Sequence, residues 1–105
     1  MPPAGQMELD YEYLSSQAKL VASDVATEKH LYLAPEALPA VDAMVEQRKE
    51  AIQQSWRDLE TWKKHVRHIS TRVADLFIAQ GVRRITTPDE IEKTAQPLYR
   101  VYPYD

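Results

Sequence analysis

Apolar side chains recur with a seven-residue period between residues 39 and 80, which is typical of a helix carrying one continuous apolar seam. The first series of the pattern is Val45, Ile52, Leu59, Val66 and Val73, and the second is Trp62, Ile69 and Leu76. The segment contains no Gly, and no Pro after Pro39, which fits a first helical turn; Gly81 follows where a left-handed C-cap is expected. The pattern predicts one coiled-coil-like helix of about 40 residues.

Such a helix is too long for a compact chain of this size. It would extend over roughly 60 Å, whereas a compact domain of 105 residues is about 35 Å across. Either the fold is elongated, or the helix breaks, or a second copy or another protein covers the seam. The apolar side chains are densest in the second part of the seam. The interface is therefore predicted at Trp56, Leu59, Trp62, Val66, Ile69, Val73, Leu76 and Phe77.

A shorter amphipathic helix precedes the long one. Between residues 10 and 28 apolar positions are spaced by three and four, and Asp10 is a candidate N-cap. The connection to the long helix is short and contains two prolines, so an antiparallel helical hairpin is predicted, with the first helix on residues near 41–60. Residues 60–77 would then have no partner from the first helix.

A third, short helix is predicted after the long one. Thr87 and Glu90 form a capping box, Pro88 fits the first helical position, and Pro97 is expected to stop the helix. The remaining residues, 97–105, are predicted to form an extended tail that either packs over the exposed seam or docks into a partner's pocket. The tail adds three tyrosines to the predicted interface: Tyr99, Tyr102 and Tyr104.

These elements predict an all-α fold, in which an antiparallel hairpin with one long helix is followed by a short helix and a tyrosine-rich tail. The predicted parts of this single domain, 1–105, are a flexible N-terminus 1–9, helix 10–28, long helix 39–80, helix 88–96 and tail 97–105. A chain of 105 residues with 44% hydrophobic residues fits one core. The longest apolar run has four residues, so no membrane-spanning segment is predicted.

The chain contains no cysteine, which excludes disulfide bonds, thiolate zinc sites and cysteine nucleophiles within it. Its first residues lack the basic and apolar regions of a secretory signal. We therefore expect a cytoplasmic location.

The net charge of −3 is unevenly distributed along the chain. Residues 1–30, 31–56, 57–84 and 85–105 carry net charges of −3, −2, +4 and −2. The basic centre either pairs with the acidic ends, within or between chains, or recruits an acidic partner.

The basic centre also supports an alternative function, in contact with DNA or RNA. The side chains that would make such contacts are Arg57, Lys63, Lys64, Arg67, Arg72, Arg83 and Arg84.

In residues 69–95 a helix ends near Gly81, and the short basic segment VRRITT leads into a capped helix. This part of the chain resembles the corner between the central and third helices of histone-fold proteins. The resemblance implies a helix–strand–helix corner and a DNA-associated protein.

Catalysis and metal binding have little support in the sequence. Glycine occurs only at positions 5 and 81, which leaves no Gly-rich phosphate loop, and no G-x-S-x-G motif is present. His65 and His68 are spaced as on one helix face, but the Glu-x-x-His repeats of helical metal sites are lacking. We therefore expect no enzymatic activity, no metal and no cofactor.

The chain is interpreted as a protein–protein interaction module, a small subunit, adaptor or inhibitor, that forms a homodimer.

Overall fold

The computed structural model describes residues 11–55 and 59–101, and the surroundings of the side chains in 12–47 and 59–96. The elements in chain order are α1 Tyr11–Glu28, β1 Tyr32–Leu33, a 3-10 turn Pro35–Ala37, α2 Leu38–Ser55, α3 Leu59–Ala79, β2 Arg84–Ile85 and α4 Pro88–Val101. The described chain is mostly helical with minimal strand, which confirms the all-α prediction. None of the described helices is both long and apolar enough to cross a bilayer.

The chain consists of two halves with the same order of elements. The first half, residues 11–55, contains α1, β1 and α2, and the second half, residues 59–101, contains α3, β2 and α4. The two strands pair in parallel, with Tyr32 opposite Arg84 and Leu33 opposite Ile85. The helix–strand–helix corner expected from the histone-fold resemblance is therefore present in the second half.

The first helix of each half ends in the same hydrogen-bonded cap. Gly81 has a φ of 77°, and the amide of Val82 donates to the carbonyl of Phe77 at 2.9 Å, as in a Schellman motif. His30 has a φ of 60°, and the amide of Leu31 donates to the carbonyl of Ala26 at 2.8 Å. The cap at Gly81 confirms the prediction for the end of α3, whereas no glycine marks the cap at the end of α1.

The predicted helix 39–80 appears as two helices, α2 and α3, of 18 and 21 residues. One straight helix over this range would place its ends roughly 60 Å apart. The strands just outside those ends, β1 and β2, are instead hydrogen-bonded to each other, with the amide of Ala34 donating to the carbonyl of Ile85 at 3.0 Å. The chain therefore reverses direction between α2 and α3. Residues 56–58, which separate the two helices, lie outside the described residues.

The arrangement of α1 corrects the predicted two-helix hairpin. This helix contacts α2, but it also contacts α3, and α4 contacts both α2 and α3. Leu14 and Ala18 of α1 belong to one buried cluster with Trp62 and Val66 of α3. The interpretation that residues 60–77 have no partner from the first helix is therefore wrong.

The last helix is longer than predicted. Its start is as expected, because Pro88 is the first helical residue and the amide of Glu90 donates to Thr87 Oγ1 at 3.2 Å. Its end is not, since α4 continues through Pro97 to Val101. A proline inside a helix removes one hydrogen bond and kinks it, but does not always end it. The extended tail is thus wrong for residues 97–101, and residues 102–105 lie outside the described residues.

Candidate functional site

The predicted seam lies at the boundary between the two halves of the chain. Its residues on α3 are mostly buried: Trp62, Val66, Ile69, Val73 and Phe77 are at most 4% exposed. Leu59 is partly buried, and Leu76 is 38% exposed at the edge. The periodicity thus located a buried face correctly, although the protein that covers it here is the same chain.

One end of this boundary is a compact apolar cluster. It contains Leu14 and Ala18 from α1, Val41 and Val45 from α2, and Trp62 and Val66 from α3. Trp62 is completely buried and is the largest of the fully buried side chains among the described residues. Because four of the six members belong to the first half and two to the second, the cluster exists only when the halves are together.

The second, larger cluster is shared in the same way. Its members from the first half are Val25, Ala26, Leu31, Ala37, Ala40 and Met44. Its members from the second half are Ile69, Val73, Ala74, Phe77, Ile85, Ile91 and Ala95. Neither half has a described core cluster of its own, so each depends on the other for burial of its apolar side chains.

Ion pairs between described side chains join the halves around these clusters. Lys29 Nζ lies 2.9 Å from Asp75 Oδ1, and Arg67 pairs with Glu28. Arg84 lies 3.8 Å from the Glu36 carboxylate, and its guanidinium is 5.1 Å from the centre of the Tyr32 ring. These side chains are between one third and two thirds exposed, so each pair stabilises the contact by at most about 1 kcal/mol.

The formal charges of the halves are equal and opposite. The first half contains four basic and seven acidic side chains, a net charge of −3, and the second contains eight basic and five acidic side chains, a net charge of +3. Arg67 and Arg84 pair with acidic side chains of the same chain, which is one of the alternatives that the sequence left open for the basic centre. The halves are thus complementary in charge as well as in apolar surface.

The predicted nucleic-acid contacts are not assembled on one face. Lys63 and Arg72 are nine residues apart on α3, which places them on opposite sides of the helix, about 180° apart. Arg83 follows the end of α3, roughly 25 Å along the helix from Lys63 and Lys64. Arg57 lies outside the described residues.

Several members of the predicted protein interface are not described. Trp56, Tyr102 and Tyr104 lie outside the described residues, and Tyr99 belongs to α4 but the surroundings of its side chain are not described. The part of the boundary that follows α1 was not predicted from the sequence; it consists of Leu31, Ala37, Ala40 and Met44. Ala37, Ala40 and Met44 have helical spacing, but none of them belongs to the seven-residue series, and Leu31 lies outside the predicted helices.

A small apolar cavity lies where the four helices meet. It has a volume of about 20 Å³, room for about one water molecule, and its lining includes Val25, Met44 and Ile91. Ser70 also lines it, and Ser70 Oγ is buried without a hydrogen-bond partner among the described residues. Within the described ranges, no group of three or more His, Asp or Glu side chains is placed to hold a metal ion.

No family model, no curated protein and no solved structure matches this chain. A function therefore has to be argued from the boundary between the halves and its chemistry.

Proposed function

We propose that this chain is a non-enzymatic protein–protein interaction module, a small subunit, adaptor or inhibitor, which self-associates through the seam of α3. The supporting observation is the origin of the side chains that cover the seam. Trp62 and Val66 are buried, but they are covered by Leu14 and Ala18 of α1, from the other half of the chain. The same surfaces can meet between two copies.

The boundary between the halves is built like a protein–protein interface. Such interfaces have an apolar, dehydrated centre and a polar rim. Trp62 and Leu14 form the centre here, and the ion pair of Lys29 with Asp75 belongs to the rim. The apolar and charged surface of one half therefore binds the complementary half equally well within one chain or from a second copy.

The heptad pattern supports a second arrangement of the same elements. A seven-residue apolar repeat over five heptads is typical of a long helix that lies along another helix. A chain that reverses direction between α2 and α3 does not need an unbroken repeat. In the self-associated form that we propose, α2 and α3 form the single helix predicted over residues 39–80.

Size-exclusion chromatography with light scattering tests this function. We expect a mass of twice 12.1 kDa, and a mass of 12.1 kDa at every concentration would contradict self-association. Leu20, 58% exposed, and Ile78, 45% exposed, are the two most exposed large aliphatic side chains among the described residues and offer competing contact surfaces. Leu20→Asp and Ile78→Asp should therefore leave the dimer mass unchanged, and loss of the dimer in either variant would assign the contact to that exposed patch instead.

A further inference from the structure

We infer that the partner is a second copy of this chain, bound by exchange of halves: the first half of each copy packs on the second half of the other. This inference rests on the proposed self-association and specifies its geometry. The contacts that join the two halves of one chain form again between the two copies. Exchange therefore needs no new kind of contact.

The first argument is the incompleteness of each half. Both apolar clusters draw members from both halves, as Val25 and Val73 do in the larger one and Leu14 and Trp62 in the smaller one. A half separated from its neighbour therefore exposes a large apolar face. Exchange buries that face completely, since the second copy supplies the identical complementary surface.

The second argument is the sequence that joins the halves. Only three residues separate Ser55 at the end of α2 from Leu59 at the start of α3, and none of them is Gly or Pro. A short connection without helix-breaking residues favours one continuous helix over a reversal of the chain. In the continuous form β1 and β2 of one copy stand roughly 60 Å apart, and each pairs with a strand of the other copy.

The third argument is charge, because it selects which halves meet. Two first halves, at −3 each, repel each other, and so do two second halves at +3. The attractive pairing places a first half on a second half, with Glu28 opposite Arg67 and Glu36 opposite Arg84. In a closed dimer of two copies, this contact between a first half and a second half forms twice.

Engineered cysteines distinguish exchange from other dimers, since the chain has no cysteine of its own. Tyr32 and Arg84 are opposite each other in the strand pair, within the spacing that a disulfide spans. The single variants Tyr32→Cys and Arg84→Cys are mixed, unfolded, refolded together and oxidised. Exchange predicts a disulfide that joins one chain of each kind.

The control mixture is Ser15→Cys with Asp42→Cys, two hydrogen-bonded positions of the same half, which should not cross-link between chains.

The outcomes separate the two proposals. A cross-link in the first mixture and none in the control supports exchange. Absence of the cross-link in a protein of dimer mass overturns exchange and leaves self-association standing, whereas absence in a protein of monomer mass overturns both. Should the strand variants fail to fold, Glu28→Cys with Arg67→Cys, an exposed pair that also joins the halves, gives the same readout when a short bismaleimide cross-linker replaces oxidation.

A second pair of variants tests the connection without any cross-link. Arg57→Pro removes a backbone hydrogen bond from a continuous helix between α2 and α3 and kinks it, so it should weaken the dimer in favour of a folded monomer. Arg57→Ala, a good helix former, is the matched control and should remain a dimer. A dimer that resists dilution as well in Arg57→Pro as in Arg57→Ala overturns the exchange.

Discussion

His30 and Gly81 occupy the same position in two equivalent helix caps, with φ values of 60° and 77°. This left-handed conformation costs an L-residue roughly 1–2 kcal/mol, and glycine avoids most of that cost. Each cap is followed by a two-residue strand, so the two positions fix the turns that bring β1 beside β2. The relationship gives a matched pair of stability predictions.

We expect His30→Gly to raise the free energy of unfolding by about 0.5–1 kcal/mol and Gly81→Ala to lower it by about 1 kcal/mol. A Cβ at Gly81 meets no atom within 4 Å, so the second effect reports backbone strain alone. Urea unfolding followed by circular dichroism measures both. Ser23→Gly, at an exposed position inside α1, is the control and should destabilise by about 0.5–1 kcal/mol. Destabilisation by His30→Gly of the same size as the control would contradict the cap at His30.

The second prediction concerns Trp62, the largest fully buried side chain. Trp62→Ala should lower the free energy of unfolding by about 3–5 kcal/mol, because it leaves a cavity between α1, α2 and α3. Trp62→Phe should cost clearly less, since it keeps an aromatic ring and removes the indole N–H, which is buried without a described partner. Equal losses in the two variants, measured by chemical unfolding, would argue against this packing.

The third prediction contrasts two buried hydroxyl groups. Ser70 Oγ has no described hydrogen-bond partner and faces the apolar cavity, so Ser70→Ala should be neutral or stabilising by up to about 1 kcal/mol. Ser15 Oγ donates to the Asp42 carboxylate, so Ser15→Ala should destabilise by about 1–3 kcal/mol. The difference in unfolding midpoint between the two variants is the readout. Destabilisation by Ser70→Ala comparable to that by Ser15→Ala would mean that Ser70 does have a partner.

A binding assay separates the proposed function from the nucleic-acid alternative. Because Arg67 and Arg84 are ion-paired to acidic side chains and Lys63 and Arg72 lie on opposite sides of α3, we expect no binding to duplex DNA at about 50 mM salt, where phosphate contacts are strongest. Fluorescence anisotropy of a labelled duplex is the measurement. Salt-sensitive binding under these conditions would favour the nucleic-acid function over the one proposed.

Local signals in the sequence predicted the ends of helices well. Gly81 marks the end of α3, and Thr87 with Pro88 marks the start of α4, because these residues satisfy backbone groups within a few positions. His30 carries no such signal, since most histidines lie outside the left-handed region and the residue type does not mark a helix end as glycine does. Pro97 was misleading, because its effect on a helix depends on the packing of the helix around it.

Contacts between distant parts of the chain could not be predicted in the same way. The period of the seam correctly identified Trp62, Val66 and Val73 as buried, but a period does not say which surface covers them. The reversal between α2 and α3 depends on burial against α1 and on the pairing of β1 with β2, which are long-range contacts. Whether the seam residues also form an interface between copies stays a prediction.

The most direct test of exchange is a distance within one chain. Spin labels on Glu36→Cys and Arg83→Cys stand just outside α2 and α3, at exposed positions next to the paired strands. The doubly labelled chain is refolded with an excess of unlabelled protein, so that pulsed electron paramagnetic resonance reports only the intrachain separation. Exchange of halves predicts a separation of roughly 60 Å, the length of one helix over residues 39–80. In a single chain that does not exchange, the two labels lie close together, because Arg84, the neighbour of residue 83, lies 3.8 Å from Glu36. A short separation between the labels would therefore contradict exchange.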